Sequence, residues 1–362
     1  MKAIRSIHRQ PSSWVVCLCT LFWLSPWAHT SRAQSLPTPE IITSQQGLPQ
    51  AFVPSILQDN QGFIWIATRD GLCRYDGNSF KVFQPSPEGK PSLSSSEVTK
   101  MVLDHQGNIW IISETGDLDL FDPAHETFIN VSRQAFYQQQ LGTVALESIY
   151  FDSRNRLWLC IRGQGLALVD IAKKQIRRYR KQIGHSSTLG SDSVRAIIED
   201  RTNRNHLWIA TYWGLDRLDR RTGQFTHYRH QATPTSLPEN LVKDLHQLPD
   251  GTILARSVRH VSLFDPQLGI VRETYPLPVQ EAWWNWTPLV ASQVPNILLS
   301  NATLLLQYSK NKGVTEFVRL PQGLQAQSLF IDRSDVLWVG TNGGGILKYN
   351  LKASAFTATP YQ

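Results

Sequence analysis

The stretch DNQGFIWIATRDGLCRYDGNSFKVF, Asp59 to Phe83, decides the fold. It reads as a turn (DNQG), a short apolar run ending in Ile64-Trp65-Ile66, a second turn (RDG), the alternating strand LCRYD, a third turn (DGN) and the strand FKVF. That is most of one four-stranded antiparallel blade. The same grammar returns as DHQGNIWIIS from Asp104, DSRNRLWLCI from Asp152, HLWIATYWGLDRLD from His206 and DVLWVGTNGGGILKYN from Asp335. Self-similarity at a period of tens of residues marks a repeat architecture.

Aligned on the second strand, the units fall at Trp65, Trp110, Trp158, Trp208, Leu254, Leu298 and Trp338, in steps of 40 to 50 residues. Units five and six lack the Trp but keep the turns, the apolar run and the alternating strand. Seven units predict an all-β fold, a seven-bladed β-propeller of four-stranded antiparallel blades. In the second unit the strands are Val98 to Leu103, Ile109 to Ser113, Asp117 to Phe121 and Thr127 to Val131, from innermost to outermost. The links at 85–96, 184–192 and 232–240 are rich in Ser, Pro, Gly and Asn and read as loops. Two-residue alternation, with a turn every 8–12 residues, excludes a helical repeat.

What recurs is read as framework. The Trp column is expected to pack between adjacent blades. Asp59, Asp104, Asp152, Asp200 and Asp332 head turns, where a carboxylate accepts backbone N–H bonds. Gly71, Gly116, Gly165, Gly214 and Gly344 follow the second strand, where a tight turn needs positive φ.

The two ends are read separately. Residues 1–33 have the form of a cleaved secretory leader: Lys2, Arg5 and Arg9, then a 14-residue apolar run from Trp14 to Trp27, then Ser31-Arg32-Ala33 before Gln34. The domain organisation expected is therefore leader 1–33, propeller 34–354 and a C-terminal strand, or the start of a further unit, at 355–362. Without the leader's four basic residues, 32 basic stand against 29 acidic, which gives no reason to invoke nucleic acid. Cys73 and Cys160 lie in separate predicted strands and read as small buried hydrophobes without a bridge between them. Both Ile41 to Ser44 and Ala355 to Thr359 could supply the outermost strand of the seventh blade; closure by the N-terminal strand is the expectation.

The combination DxxGxIWIxTxxGLxRYD, FxxF and a PxSL link resembles the two-component regulator propeller repeat of bacterial hybrid two-component systems. The resemblance covers Ile41 to Asn350; it is specific in units one, two, four and seven, partial in unit three, where Asn155 replaces the turn Gly, and weak in five and six. It implies a propeller exported to the periplasm that senses a small ligand, often a glycan fragment, and passes its state to a membrane histidine kinase. Family members often carry a second propeller, an immunoglobulin-like domain, a membrane helix and a kinase, none of which is present in these 362 residues.

Function is sought in what varies between units, on the loops around the channel. The second-to-third-strand loops offer Arg69, Asp70, Glu114, Arg162, Gln164, Tyr212, Trp213, Arg259, His260, Asn301 and Asn342, and the link into unit six adds Trp284 and Trp286 beside Trp283 and Asn285. Arg, amides, carboxylates and aromatics together suit a saccharide, whose ring face stacks and whose hydroxyls hydrogen-bond. No HExxH, GxSxG, CxxC or Walker A sequence is present, and no cofactor or metal is expected. The spacing of His227 and His230 could hold a metal, but with no carboxylate or Cys partner in view. The enzyme alternative is a propeller lyase, as in streptogramin lyases, with His260 working against Glu114 or Asp70; a pure interaction scaffold is the third reading.

Overall fold

The structure, a computed structural model, describes residues 38–87, 90–278, 290–291 and 297–352; the leader and the C-terminal strand expected from sequence lie outside them. Seven four-stranded antiparallel sheets are arranged as the blades of a propeller. Their innermost strands are Ser55–Gln58, Val98–Leu103, Leu146–Phe151, Val194–Glu199, Val242–Gln247, Val290–Ala291 and Ala326–Ile331. Glu40–Ile42 is the outermost strand of the seventh blade, paired antiparallel with Ile346–Asn350. The ring is thus closed by the N-terminal strand. Lys348 Nζ to Glu40 Oε2 at 2.7 Å, the Phe52–Asn342 bridge and the bond from Ser328 Oγ to Val53 O at 2.9 Å fasten the joint.

The second strand of each blade is mostly apolar because both its faces meet neighbours, with Arg256 in blade five the charged exception. Its core clusters straddle each blade and the next: Trp65 sits with Val98, Met101 and Phe121, Trp208 with Leu245 and Phe264, and Trp338 with Ile56 and Tyr75 across the closure. The expected packing of the Trp column between blades is what is found. Trp65 and Trp208 are fully buried.

The turn aspartates explain how an indole can be buried with its N–H satisfied. Asp59 Oδ2 accepts from Trp65 Nε1 at 2.7 Å, while Oδ1 accepts from the backbone N–H of Gln61 and Phe63. The same Asp-to-Trp bond recurs from Trp110 to Asp104, Trp158 to Asp152, Trp208 to Asp200 and Trp338 to Asp332, at 2.8–3.0 Å. In the fifth blade both partners change together. Leu248 occupies the turn position and Leu254 the indole position, packed in one cluster. A buried N–H without an acceptor is costly, so the pair is kept or lost as a unit.

One glycine assignment is corrected. In the seventh blade the residue with positive φ at the end of the turn is Gly345 (φ 75), not Gly344. The loop TNGGG is one residue longer than TRDG, so Thr341 Oγ1 donates to Gly345 O where Thr68 Oγ1 donates to Gly71 O. A Cβ on Gly345 would lie 2.1 Å from Ile42 O of the closing strand, which glycine alone avoids.

A six-residue helix, Ala135–Gln140, interrupts the β pattern in the link between blades two and three and buries Phe136 and Tyr137. No helix among the described residues is long and apolar enough to cross a membrane. Cys73 and Cys160 are both buried and free; burial raises their thiols to about 12 and about 11.

Candidate functional site

The geometry of the channel is set by a repeated irregularity. In five blades the pairing of innermost with second strand slips at one residue: Thr99, Glu147, Arg195, Lys243 and Gln327. At the corresponding place in the first blade stands Pro54, which has no N–H to pair. A bulge interrupts the alternation of the strand and re-aims its side chains. The doublets Thr99-Lys100, Glu147-Ser148, Arg195-Ala196, Lys243-Asp244 and Gln327-Ser328 accordingly all line one cavity of about 540 Å³ in the channel.

The mouth of the channel is held by backbone bonds from the second-to-third-strand loops. Glu114 N donates to Glu97 O, Arg162 N to Ala145 O, Tyr212 N to Ser193 O and Asn342 N to Gln325 O, each within one blade. Gly71 N, Gly165 N and Gly214 N donate instead to the link of the following blade, at Ser96, Asp192 and Asn240. In blades three and four the loop is therefore tied both to its own blade and to the next, and its side chains are presented from a fixed backbone.

Of the residues picked from sequence, Arg69, Glu114 and Arg162 line the channel cavity. Arg69 lies 4.1 Å over the Phe52 ring. Tyr212 lines an adjoining cavity of about 240 Å³ with Arg162, Gly163 and Arg195, and Trp213 beside it is 56% exposed. Glu147 joins the two cavities: it pairs with Arg195 through one oxygen, and its Oε2 accepts from Arg162 Nε at 3.3 Å. Arg195 in turn stands 5.7 Å from the Tyr212 ring centroid. An Arg–Glu–Arg wall with Tyr212 against it results.

Other picked residues are held elsewhere. Asp70 Oδ1 accepts from Gln84, Gln164 Oε1 accepts from Arg178 on the outermost strand, and Asn342 Oδ1 accepts from Gln325 N, all contacts that fix loops. Arg259 uses its backbone, donating to Glu239 and accepting from Leu277. The partner of His260 is neither Glu114 nor Asp70. Its Nδ1 meets Glu239 Oε1 at 2.6 Å, from the link into its own blade, and neither residue lines the two cavities. Asn301 pairs with Leu304 through the strand backbone, and Trp284 and Trp286 lie outside the described residues. His227 has Asp216 Oδ1 and Ser186 O at its two nitrogens, both at 2.8 Å, and His230 Nδ1 meets Leu237 O, so the pair faces separate partners.

Sequence reasoning missed the channel wall itself: Lys100, Glu147, Arg195, Lys243, Asp244 and Arg256. The signal was there, as two consecutive non-core residues in VTKM, LESI, VRAI and VKDL where alternation allows one. The wall is electrically uneven. Arg69 of blade one apart, charge gathers on blades two to five, whereas Pro54, Ser55, Gln327 and Ser328 face it from blades one and seven. Burial lowers the pKa of Lys100, Arg195 and Arg256, the last to about 10, which leaves it cationic at neutral pH. Burial, then the nearby Arg256 and Arg195, bring Lys243 down to about 8.

Comparison with known proteins agrees with this architecture. Residues 47–70 match the two component regulator propeller family. A 52-residue stretch is 44% identical to a histidine kinase of Formosa agariphila, covering 14% of this chain and 4% of that protein. The extracellular domain of a hybrid two component system from B. thetaiotaomicron superposes with a TM-score of 0.71 at 21% identity, over 86% of this chain and 41% of that one. Streptogramin B lyase superposes with a TM-score of 0.62 at 13% identity, over 86% of this chain and 96% of that one. The chain thus spans less than half of the sensor-type proteins it matches. It carries the two-component regulator propeller repeat, matched at residues 47–70, on a seven-bladed propeller.

Proposed function

We propose that this chain is the ligand-sensing propeller of a periplasmic two-component signalling system, taking a small saccharide-like ligand at the channel mouth. The observation that carries this reading is the Arg162–Glu147–Arg195 wall with Tyr212 and exposed Trp213 beside it, at the junction of two cavities. Aromatic faces stack on a sugar ring, and the charged groups bond its hydroxyls. A histidine kinase or further domains of such a system would read the occupied state. Occupancy changes signalling only through differential affinity for two arrangements of the propeller and its neighbour.

A second reading rests on the His260–Glu239 pair. A carboxylate at Nδ1 orients an imidazole, the arrangement of a general base, and the lyase propellers share this fold. Calorimetry and product analysis with an oligosaccharide panel separate the two. Binding without turnover, unchanged in His260→Ala, is the expected result. Turnover abolished in His260→Ala would make the chain a lyase, and no binding to any saccharide would leave an interaction scaffold.

A further inference from the structure

We propose that the outer rim of the third blade, from Lys173 to Ile183, is a docking surface for an anionic lipid bilayer. The inference goes beyond the saccharide reading and uses none of the channel residues, so the two fail independently.

The first support is the concentration of charge. The segment 173–181, KKQIRRYRK, holds Lys173, Lys174, Arg177, Arg178, Arg180 and Lys181 and no acidic residue, and all six cations are exposed. Residues 34–362 carry 32 basic against 29 acidic residues, so without these six the remainder is net acidic, 26 against 29. The corresponding segments of blades one, two and five, DGNSFKVFQ from Asp76, DPAHETFIN from Asp122 and DPQLGIVRE from Asp265, each hold at least as many acidic residues as Lys and Arg together. Around the six, Asp170 pairs with Lys173 and Asp192 with Arg180, both at 3.4 Å, while Arg178 donates to the neutral Gln164 and Arg177 lies over the Tyr179 ring. Exposed cations are content in water, and a negatively charged surface attracts each of them in addition.

The second support is position. Gln175–Tyr179 is the outermost strand of its blade, at the periphery of the ring. The side-chain amide of Gln140, from the short helix, bonds Lys174 O at 2.9 Å and Ile176 N at 2.8 Å. That amide takes the hydrogen bonds a further strand would make, so these rungs are closed to strand addition without help from the cations, which elsewhere serve to blunt such edges. On the other flank Arg177 reaches Gly223 in the turn of blade four, where a Cβ would lie 3.2 Å from its guanidinium.

The third support is Ile183, which is 95% exposed two residues beyond Lys181. An apolar side chain among cations is the pattern of interfacial membrane binding, the chain entering below the head groups while the cations meet phosphates. One isoleucine is too little for the apolar centre of a protein–protein interface.

The test is co-sedimentation with vesicles at about 0.1 M salt. The chain is used from Gln34 onward: it contains every strand of the ring, closed by Glu40–Ile42, and omits the apolar run 14–27, which would insert by itself. Vesicles of phosphatidylcholine with about 30% phosphatidylglycerol are expected to bind it at least about 10-fold more tightly than phosphatidylcholine alone. Lys174→Asn combined with Lys181→Gln should weaken that binding about 10- to 30-fold, and Ile183→Ser about 3-fold. Asp170→Asn, which removes the acid beside Lys173, should tighten it, a change that misfolding cannot mimic. Lys310→Gln combined with Lys312→Gln, exposed on blade six, should leave it unchanged. Equal binding to both vesicle types, or a loss in the blade-six variant as large as in the blade-three variant, would overturn the assignment. Failure to sediment with either vesicle would also overturn it, and retention on dextran sulfate that the blade-three variant loses would then give the rim to a polyanionic chain instead of a bilayer.

Discussion

Two columns of residues run around this propeller at fixed positions in each unit, and they behave oppositely. The turn-to-indole column holds Asp and Trp in blades one to four and seven, bonded identically each time. The bulge column reads Pro54, Thr99, Glu147, Arg195, Lys243 and, in blade seven, Gln327, with different chemistry at nearly every step. The first column lies between blades, where every blade has the same neighbour. The second faces the channel, where each blade contributes one part of a single surface. Repetition therefore marks what a blade must solve for itself, and divergence marks what the ring makes collectively.

The most severe way to test the contrast is to empty the repeated column. Trp65→Ala removes a fully buried indole from the seam with Val98, Met101 and Phe121, and should destabilise the protein by about 3–5 kcal/mol in urea unfolding. A loss below about 1 kcal/mol would mean that the seam repacks and that the column is not structural.

Next in size is its polar partner. Asp59→Leu leaves the buried Trp65 Nε1–H and two part-buried backbone donors without their acceptor, a cost of about 1–3 kcal/mol. Combining it with Trp65→Leu reproduces the Leu248–Leu254 solution of blade five, so the double variant should lose less than the sum of the singles. Simple additivity would show that the joint change in blade five is coincidence.

The same contrast explains what the sequence discloses. Asp, Trp and Gly at a fixed period announce the blades, their number and the seam, because identical packing demands identical residues. The loop residues Arg69, Glu114, Arg162 and Tyr212 were legible as channel-facing because short loops between known strands point one way. Lys100, Glu147, Arg195, Lys243 and Asp244 were not, since one bulged residue breaks the two-residue alternation of the innermost strand and reverses the facing of what precedes it. The partner of His260 was missed for another reason. Glu239 lies in a link, where no periodicity fixes which side chain reaches back to the strand.

A milder test falls on the variable face. Trp213→Ala removes an exposed ring outside the seams, so unfolding should shift by no more than about 0.5 kcal/mol. Saccharide affinity should drop by about 3- to 10-fold if the ring stacks on the ligand. A large stability loss with unchanged affinity would place Trp213 in the framework and dissolve the division between the columns.

The smallest effect expected belongs to a residue that ties a variable link to a repeated strand. His227 lies between Asp216 Oδ1 and the Ser186 carbonyl, two acceptors that only the doubly protonated imidazole can satisfy at once. The hydrogen bond to Asp216 raises its pKa above the ordinary value, against the opposing pull of burial. A folded-state pKa above the unfolded value of about 6.5 gives stability that is fully present below that pH and is lost as pH rises through the folded value. Urea midpoints should therefore fall more between about pH 6 and about pH 8.5 in the parent than in His227→Asn. His206 and His246 are shifted downward by burial and contribute with the opposite sign, but they are common to both proteins and cancel in the difference. Superimposable pH profiles would mean that the link carrying Ser186 does not depend on a charged His227, and that Asp216, which also accepts from Gly190 N and Arg229, anchors it alone.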